Sequence, residues 1–220
     1  MPDVAHHHHP ALAHHFDDLG QQQEAATLGM WVFLVTEVLF FGGLFLVYSI
    51  YRVWYHDAFV AASHELDVTL GTINTAVLIT SSLTMAMAVH AAQLGNRRLL
   101  MIFLVVTMAL GAVFLGIKAV EYYEKYTHHH IPGATFAFEP HDLSRHAQIF
   151  FSLYFAMTGL HALHMIIGLG IMTAMLWLSW RGRISAEYYI PIEISGLYWH
   201  FVDIVWIFLF PLLYLIGRHA

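Results

Sequence analysis

The chain has 220 residues, of which 59% are hydrophobic and only 11% are Asp, Glu, Lys or Arg. Soluble domains carry about 25% of these charged residues, so the composition excludes an ordinary soluble domain and indicates an integral membrane protein. The chain has no cysteine, which excludes disulfides, thiolate catalysis and cysteine-ligated zinc or iron–sulfur sites. The net charge of −6, counted with neutral histidine, argues against nucleic acid as a partner.

Residues 1–27 form a polar, histidine-rich leader before the first apolar segment. The leader contains neither Lys nor Arg and so lacks the basic start of a signal peptide; we expect the first span to stay in the mature protein. The bland interpretation is a solvated, poorly ordered tail. Because imidazole titrates near neutrality, a second hypothesis is a proton-collecting surface, and a third is adventitious metal binding. The histidines concerned are His6, His7, His8, His9, His14 and His15.

Five apolar stretches are long enough to cross a hydrocarbon core, which takes about 20 helical residues. They lie at 28–51, 67–92, 98–123, 147–178 and 193–217. The strands of a transmembrane barrel alternate apolar and polar residues, whereas the run from 99 to 117 does not alternate. The sequence therefore predicts an all-α integral membrane bundle of five transmembrane helices, with residues 28–220 as its membrane domain. The fourth span exceeds the thickness of a bilayer, so we expect it to tilt or to project.

The arginines of two short loops predict the orientation of the bundle. The loops after the second and fourth spans carry Arg97, Arg98, Arg181 and Arg183. The opposite side carries a similar number of basic residues, Arg52, Lys125, Arg145 and Arg218, but they are spread out. By the positive-inside rule, the tight clustering favours an N-terminus inside and a C-terminus outside.

Glu37 is an acidic residue near the middle of the first span. A carboxyl group at this depth is either protonated or paired, because burial disfavours its ionised form. Intramembrane carboxyls often belong to proton pathways, so one interpretation is a proton relay or a regulator of one. The alternative is a neutral acid that bonds to a neighbouring helix.

Small residues within the spans predict contacts between helices. Hydroxyl groups there bond back to their own helix or to a neighbour, and glycines allow backbones to approach closely. The second span carries Asn74, Thr75, Thr80, Ser81, Ser82 and Thr84. The glycines are Gly42, Gly43, Gly111, Gly116, Gly168 and Gly170.

Three histidines raise the possibility of a haem or copper site. His161 and His164 are three apart on one face of the fourth span, and His200 lies in the fifth. Nothing on the second or third span completes a ligand set, because His90 falls at a helix end. The favoured interpretation is hydrogen-bonded histidines that join helices or hold a lipid headgroup. Asp203 follows His200 by three residues, which suggests a local pair facing protein.

Five motifs, in this order, closely resemble the five C-terminal helices of subunit III of the haem–copper oxidases, the cytochrome c oxidase subunit 3 family. They read GMWVFLVTEVLFFGGLF, INTAVLITSSLTMAMAVHAA, LGAVFLGIKAVEYYEKY, GLHALHMIIG and YWHFVDIVWIFLFPLLYL. The resemblance covers residues 28 to 217. The positions that match the family's motifs are Glu37, Glu121, Tyr122, His161, His164, Trp199, His200, Asp203 and Trp206.

The resemblance implies an accessory subunit and not an enzyme by itself. Family members bind no haem or copper, which lie in partner subunits; they pack on the catalytic subunit I, hold structural phospholipid and support proton uptake. Their polar residues, His200 and Asp203 here, then act as internal ties of the bundle. Seven-helix members have two further N-terminal helices where this chain has a polar leader, so this chain is similar to the five-helix members and its lipid cleft is put in question.

The sequence is thus interpreted as an accessory subunit of a respiratory oxidase in a bacterial plasma (inner) membrane, fed by cytochrome c. Its expected partners are subunit I, the other oxidase subunits, membrane lipids and a larger respiratory supercomplex. One alternative is the same subunit in a quinol oxidase or a nitric-oxide-reductase-associated relative. A histidine-ligated membrane redox enzyme is an alternative of another class.

Overall fold

The computed structural model describes residues 15–133 and 136–215, which are helical apart from their connecting loops. The helices are α1 (Leu19–Trp54), α2 (His56–His64), α3 (Val68–Gln93), α4 (Arg97–Thr127), α5 (Ser144–Trp180) and α6 (Ile190–Phe210), which continues as a π-helical turn, Pro211–Leu215. Five are long and apolar enough to cross a membrane: α1, α3, α4, α5 and the stretch Ile190–Leu215. The prediction of an all-α bundle with five spans is confirmed.

Helix α1 begins inside the segment that was expected to be a solvated leader. Its first residue is Leu19, and the side chain of Asp18 caps it by accepting a 2.8 Å hydrogen bond from the backbone N–H of Gln21. The residues that follow are mostly Gln, Glu and Ala, which favour helix without being apolar. Residues 19–27 are therefore helical, and the expectation of disorder was wrong for them. His6, His7, His8, His9 and His14 lie outside the described residues.

The short helix α2 was not predicted, because its nine residues are too few for a membrane span. Phe59 on its buried face packs between Tyr48 of α1 and Phe150 of α5, with ring centroids 5.4 Å apart in both pairs. The helix therefore closes one end of the bundle. Helix α5, with 37 residues, is long enough to project beyond a bilayer, as expected.

Helices α3, α4, α5 and α6 form a ring of four, and α1 packs outside it on α6 and α5. Each ring helix contacts its two ring neighbours, which places α4 and α6 at opposite corners. Two large α6 side chains, Trp199 and Trp206, are fully buried between them. The indole side chains of these two tryptophans fill the centre of the four-helix ring.

The two arginine-rich loops lie on the same side of the bundle, and a side chain joins them. The guanidinium of Arg97, at the start of α4, donates to the backbone carbonyl of Trp180, at the end of α5. Each loop contains a glycine with positive φ, Gly95 at 68° and Gly182 at 72°, a conformation that glycine adopts without steric cost. Because the spans alternate in direction, the start of α1 at Leu19 lies on this side too.

Candidate functional site

The interior contains a hydrogen-bonded polar cluster, the Lys118 cluster, which consists of Lys118, Glu121, Tyr154 and Tyr214. The Lys118 ammonium donates to Oε2 of Glu121 at 2.9 Å, to the Tyr154 hydroxyl at 3.0 Å and to the Tyr214 hydroxyl at 2.9 Å. Both tyrosine hydroxyls in turn donate to Oε1 of Glu121. The side chains of Lys118 and Glu121 are only 4% and 1% exposed. The cluster joins α4 to α5 and to the turn after α6.

The hydrogen bonds of the Lys118 cluster form a closed set. An ammonium has three protons to donate, and all three are used here. Aromatic rings surround the ammonium at cation–π distances, with the centroids of Tyr154 and Trp206 5.0 and 5.2 Å away. Sequence analysis identified Glu121 but missed Lys118. The sequence feature that could have identified Lys118 is its spacing of three residues from Glu121, a Lys–Glu pair inside an apolar run.

Tyr122, which also matches a family motif, lies beside this cluster and makes a separate tie. Its hydroxyl lies 2.6 Å from the hydroxyl of Thr158 on α5, and Thr158 donates to the carbonyl of Tyr154. Tyr122 therefore adds a second connection between α4 and α5.

The two α6 tryptophans act as polar ties as well as core residues. The indole N–H of Trp199 donates to the Ser81 hydroxyl at 3.0 Å, and that of Trp206 donates to the Thr75 hydroxyl at 3.1 Å. Both bonds join α6 to α3. The bonds of Ser81, Thr75, Thr80, Ser82 and Thr84 confirm that the hydroxyl stripe of α3 serves its own helix and its neighbours. Asn74 differs: it is buried, but its side-chain amide has no hydrogen bond within the described residues.

Only two of the six predicted glycine contacts are made against neighbouring helices. A Cβ placed on Gly111 or Gly168 would lie within 3.0 Å of the Trp199 ring, so these glycines make room for it. Gly42, Gly43, Gly116 and Gly170 have open space where a Cβ would point. The prediction was wrong for these four, which are exposed and meet no neighbouring helix at the Cβ position.

His161 and His164 share a helix but occupy different surroundings. His161 is 1% exposed and packs on the rings of Phe114 and Trp206, with centroids 5.4 and 5.3 Å away. Its Nε2 has no hydrogen-bond partner within the described residues. His164 instead faces α1, where its Nε2 lies 3.3 Å from Oε2 of Glu37.

The Glu37–His164 pair sets a carboxyl oxygen beside an imidazole nitrogen. Nδ1 of His164 lies 2.8 Å from the carbonyl of Leu160, which can only accept, so Nδ1 carries a hydrogen. A proton on Nε2 makes the pair imidazolium and carboxylate; a proton on Glu37 makes both groups neutral. The contact has ion-pair distance but not hydrogen-bond geometry, and Oε2 of Glu37 has no other partner in the described part of the chain. The two side chains are 19% and 13% exposed.

His200 and Asp203 lie together on α6, but only His200 is tied to another helix. Nδ1 of His200 lies 2.7 Å from the Ser82 hydroxyl on α3. Asp203 is 3% exposed, and neither carboxylate oxygen has a hydrogen-bond partner in residues 15–133 and 136–215. Within the described residues, the geometry thus shows a tie to another helix for His200 and none for Asp203, whose role as an internal tie stays a prediction.

The described residues contain no group of three His, Cys, Asp or Glu side chains arranged to hold a metal ion. The three intramembrane histidines have separate environments: His161 lies among aromatic rings, His164 beside Glu37, and His200 beside Ser82. The geometry brings no two of them together as a pair of haem ligands.

Comparison with known proteins agrees with the motifs. The model of the cytochrome c oxidase subunit III family matches residues 14–218. The chain is 32% identical to cytochrome c oxidase subunit 3 of Thermostichus vulcanus, over 92% of each chain. It is 34% identical to the subunit 3 of Synechocystis sp., covering 86% of this chain and 74% of the relative. It is 30% identical to the subunit 3 of the antelope Neotragus moschatus, covering 87% and 70%. The chain therefore belongs to the cytochrome c oxidase subunit III family.

Proposed function

We propose that this chain is the non-catalytic subunit III of a respiratory haem–copper oxidase that receives electrons from cytochrome c. In this role it packs on the catalytic subunit I and contacts the other subunits of the complex, in a bacterial plasma membrane. Haem and copper belong to those partners. The observation that carries the proposal is the Lys118 cluster, in which all three ammonium protons and both Glu121 oxygens are used within the chain. Such a closed set suits a rigid scaffold and leaves no group for a reacting molecule.

A role in proton uptake is supported by the Glu37–His164 pair. It sets two ionisable side chains 3.3 Å apart in the middle of the spans, and both are partly exposed, so the pair can gain or lose a proton without unpacking the bundle. The proposed orientation, with the N-terminus inside, rests on the joined arginine loops and the positive-inside rule. It places the leader on the side from which an oxidase takes up protons.

A role in holding lipid is supported by a groove between α1 and α6. Its volume is about 480 Å³, and aromatic and aliphatic side chains form nearly all of its lining, among them Trp31, Phe41 and Phe208. A groove of this size and chemistry suits the acyl chain of a phospholipid. Binding of an acyl chain in this groove does not require the polar side chains that would hold a lipid headgroup.

Depletion of the subunit tests the accessory role. The oxidase is purified from its own membrane with and without this chain, and haem, copper and oxygen consumption are measured. We expect unchanged haem and copper content and a faster decay of turnover. Loss of haem in proportion to loss of the chain, or a stoichiometric Soret band from the isolated chain, would contradict the proposal and favour the histidine-ligated redox enzyme.

A further inference from the structure

The loop after α4 turns back on itself, and backbone hydrogen bonds hold the turn. The N–H of His130 donates to the carbonyl of Lys125 at 2.9 Å, and His129 has a positive φ of 57°. The N–H of Ala137 then donates to the carbonyl of His129 at 3.0 Å. Residues 128–133 and 136–138, the His130 loop, thus return to the end of α4.

The imidazole of His130 attaches this loop to α5 through aromatic packing. It stacks on Phe151 of α5, with ring centroids 4.9 Å apart and an interplanar angle of 26°. Phe138 and Phe136 of the loop lie 5.9 and 6.5 Å from the His130 ring, and both also pack on Phe151. His130 is 8% exposed, and Phe151 is fully buried. An aromatic contact with the imidazole at its centre therefore holds the loop on α5.

The surroundings of His130 suit a neutral imidazole. Its Nδ1 is buried and has no hydrogen-bond partner among residues 15–133 and 136–215. A neutral imidazole can leave Nδ1 without a hydrogen, whereas an imidazolium carries a hydrogen on both ring nitrogens. In this aromatic contact the N–H at Nδ1 would have no acceptor, and burying an unsatisfied polar group, above all a charged one, costs free energy. Packing on Phe151 and a positive charge on His130 therefore oppose each other.

Charged neighbours modify this effect of burial. The charged and titratable groups that act on the ring are Lys125 of α4, Glu65 after α2, and His128 and His129 of the loop. On α5 the ring faces Phe151, which carries no charge. Burial has the largest effect, the charge of Lys125 adds to it, and both lower the pKa of His130, while Glu65 opposes them.

We propose that the His130 loop is a pH-sensitive contact: neutral His130 holds the loop on Phe151, and protonation of His130 releases it. The pKa of an imidazole in the released loop is about 6.5, and that of the docked imidazole is lower. Docking is therefore strongest above about pH 6.5 and weakens as the pH falls below it. A 3.4 Å hydrogen bond from Gln148 to the carbonyl of Gly133 is too long to hold the loop by itself. Helices α4 and α5 stay joined by the Lys118 cluster when the loop opens.

Hydroxyl-radical footprinting of the purified oxidase tests the release, because oxidation of an aromatic side chain reports its exposure to water. The readouts are Phe138 and Phe151, which are 4% and 0% exposed, and Phe59, 2% exposed at the same end of the bundle, is the internal reference. Oxidation is compared at about pH 7.5 and about pH 5.5, one unit either side of the ordinary histidine pKa of about 6.5. Relative to Phe59, we expect oxidation of Phe138 and Phe151 to rise at the lower pH by up to about 10-fold, the limit for a histidine that is protonated only in the released loop.

Two variants assign the effect to His130. His130→Phe keeps a ring on Phe151 but cannot bind a proton, so its oxidation pattern should not change between the two pH values. His141→Gln removes an exposed histidine that lies beyond the loop and outside the aromatic contact. This control should show the same rise as the unchanged chain.

Each other outcome contradicts the proposal. If Phe138 and Phe151 stay protected in the unchanged chain at the lower pH, protonation does not release the loop. An equal rise in His130→Phe would assign the release to another group, and a matching rise of Phe59 would show that the whole end of the bundle opens. If His130→Phe fails to assemble, His130→Met supplies a second side chain that cannot bind a proton, and a rise in that variant would refute the proposal equally.

Discussion

At the scale of single residues, the Lys118 cluster shows how a charged pair is kept inside a membrane bundle. Removing an ammonium and a carboxylate from water costs several kcal/mol for each ion. The cost is offset here because every proton of Lys118 has an acceptor and each Glu121 oxygen has a donor. The pair therefore contributes position more than stability, since it fixes α4 against α5 and the end of α6.

We expect Lys118→Met to be strongly destabilising. The substitution keeps an unbranched side chain of similar length but leaves the Glu121 carboxylate buried without a cation. Breaking a buried pair from one side costs about 3–5 kcal/mol. The measurement is a denaturant titration of the purified chain in detergent, followed by its helical signal.

The double variant Lys118→Met, Glu121→Gln separates charge from shape. A neutral amide at position 121 still accepts from the two tyrosines, so the double variant should recover most of the lost free energy of unfolding. Arg98→Met, at an exposed position, serves as the control for loss of a positive charge. If the double variant is as unstable as Lys118→Met, the loss arises from packing and not from the unpaired carboxylate.

We expect Glu37→Gln to retain assembly and most oxygen consumption. A Gln side chain keeps the shape and donates its amide hydrogen to Nε2 of His164, so the contact between α1 and α5 is preserved. What it removes is the ionisable carboxyl group. The measurements are subunit content and oxygen uptake over repeated turnover; an immediate block of oxygen reduction would place Glu37 on an obligatory proton path.

Sequence alone predicted these residues unevenly. Glu37, Glu121 and the histidines stood out because their types are costly in hydrocarbon. Lys118 did not, since it lies near the end of an apolar run and its partners Tyr154 and Tyr214 are 36 and 96 residues away in the chain. Sequence also could not show that Asp203 has no hydrogen-bond partner among residues 15–133 and 136–215, because spacing places it beside His200 without showing where its carboxyl points.

At the scale of helices, Trp199 determines how closely α4 and α5 approach the centre of the ring. The indole of Trp199 lies within 3.0 Å of where a Cβ of Gly111 or Gly168 would be. A larger residue at either glycine requires the Trp199 side chain to move. The sequence predicted that glycines would permit close contact, but helical phase does not show which glycines face a neighbour, and only these two face Trp199.

Gly168→Ala and Gly170→Ala form a matched pair on one helix. A methyl group on Gly168 would lie 2.9 Å from the Trp199 ring, and such overpacking costs about 1–3 kcal/mol. A methyl group on Gly170 has open space, so the gain of a better helix former, up to about 1 kcal/mol, should dominate. Thermal unfolding of the two purified variants measures the difference; equal midpoints would show that the bundle relaxes around Trp199.

At the scale of the whole molecule, the histidines of the two membrane surfaces have different environments. On the side of α2, His130 stacks on Phe151 with ring centroids 4.9 Å apart. Burial, with the nearby charge of Lys125, lowers the pKa of His130 and so favours the neutral form of its imidazole. On the opposite side, His15 of the leader is exposed beside Phe16, with its ring 4.3 Å away. A proton-collecting surface thus fits the leader better than it fits His130.

The leader histidines should matter most when protons are scarce. In the proposed orientation they lie on the proton-uptake side, where imidazoles can take protons from buffer and pass them on. We expect the variant in which His6–His9, His14 and His15 are all replaced by Gln to lower steady-state turnover above about pH 7.5, past the ordinary histidine pKa of about 6.5. Near pH 6, bulk protons are abundant and the change should be small.

The loss of turnover is measured as oxygen consumption of the purified oxidase between about pH 6 and pH 9. Over this range imidazole passes from partly charged to neutral. The control is a variant in which His128 and His129, exposed on the opposite surface, are replaced by Gln. In the proposed orientation their loss leaves the proton-uptake side intact, so the pH profile should not change. Equal slowing of the leader variant at every pH would indicate an assembly defect, and an unchanged profile would show that the leader histidines do not supply protons.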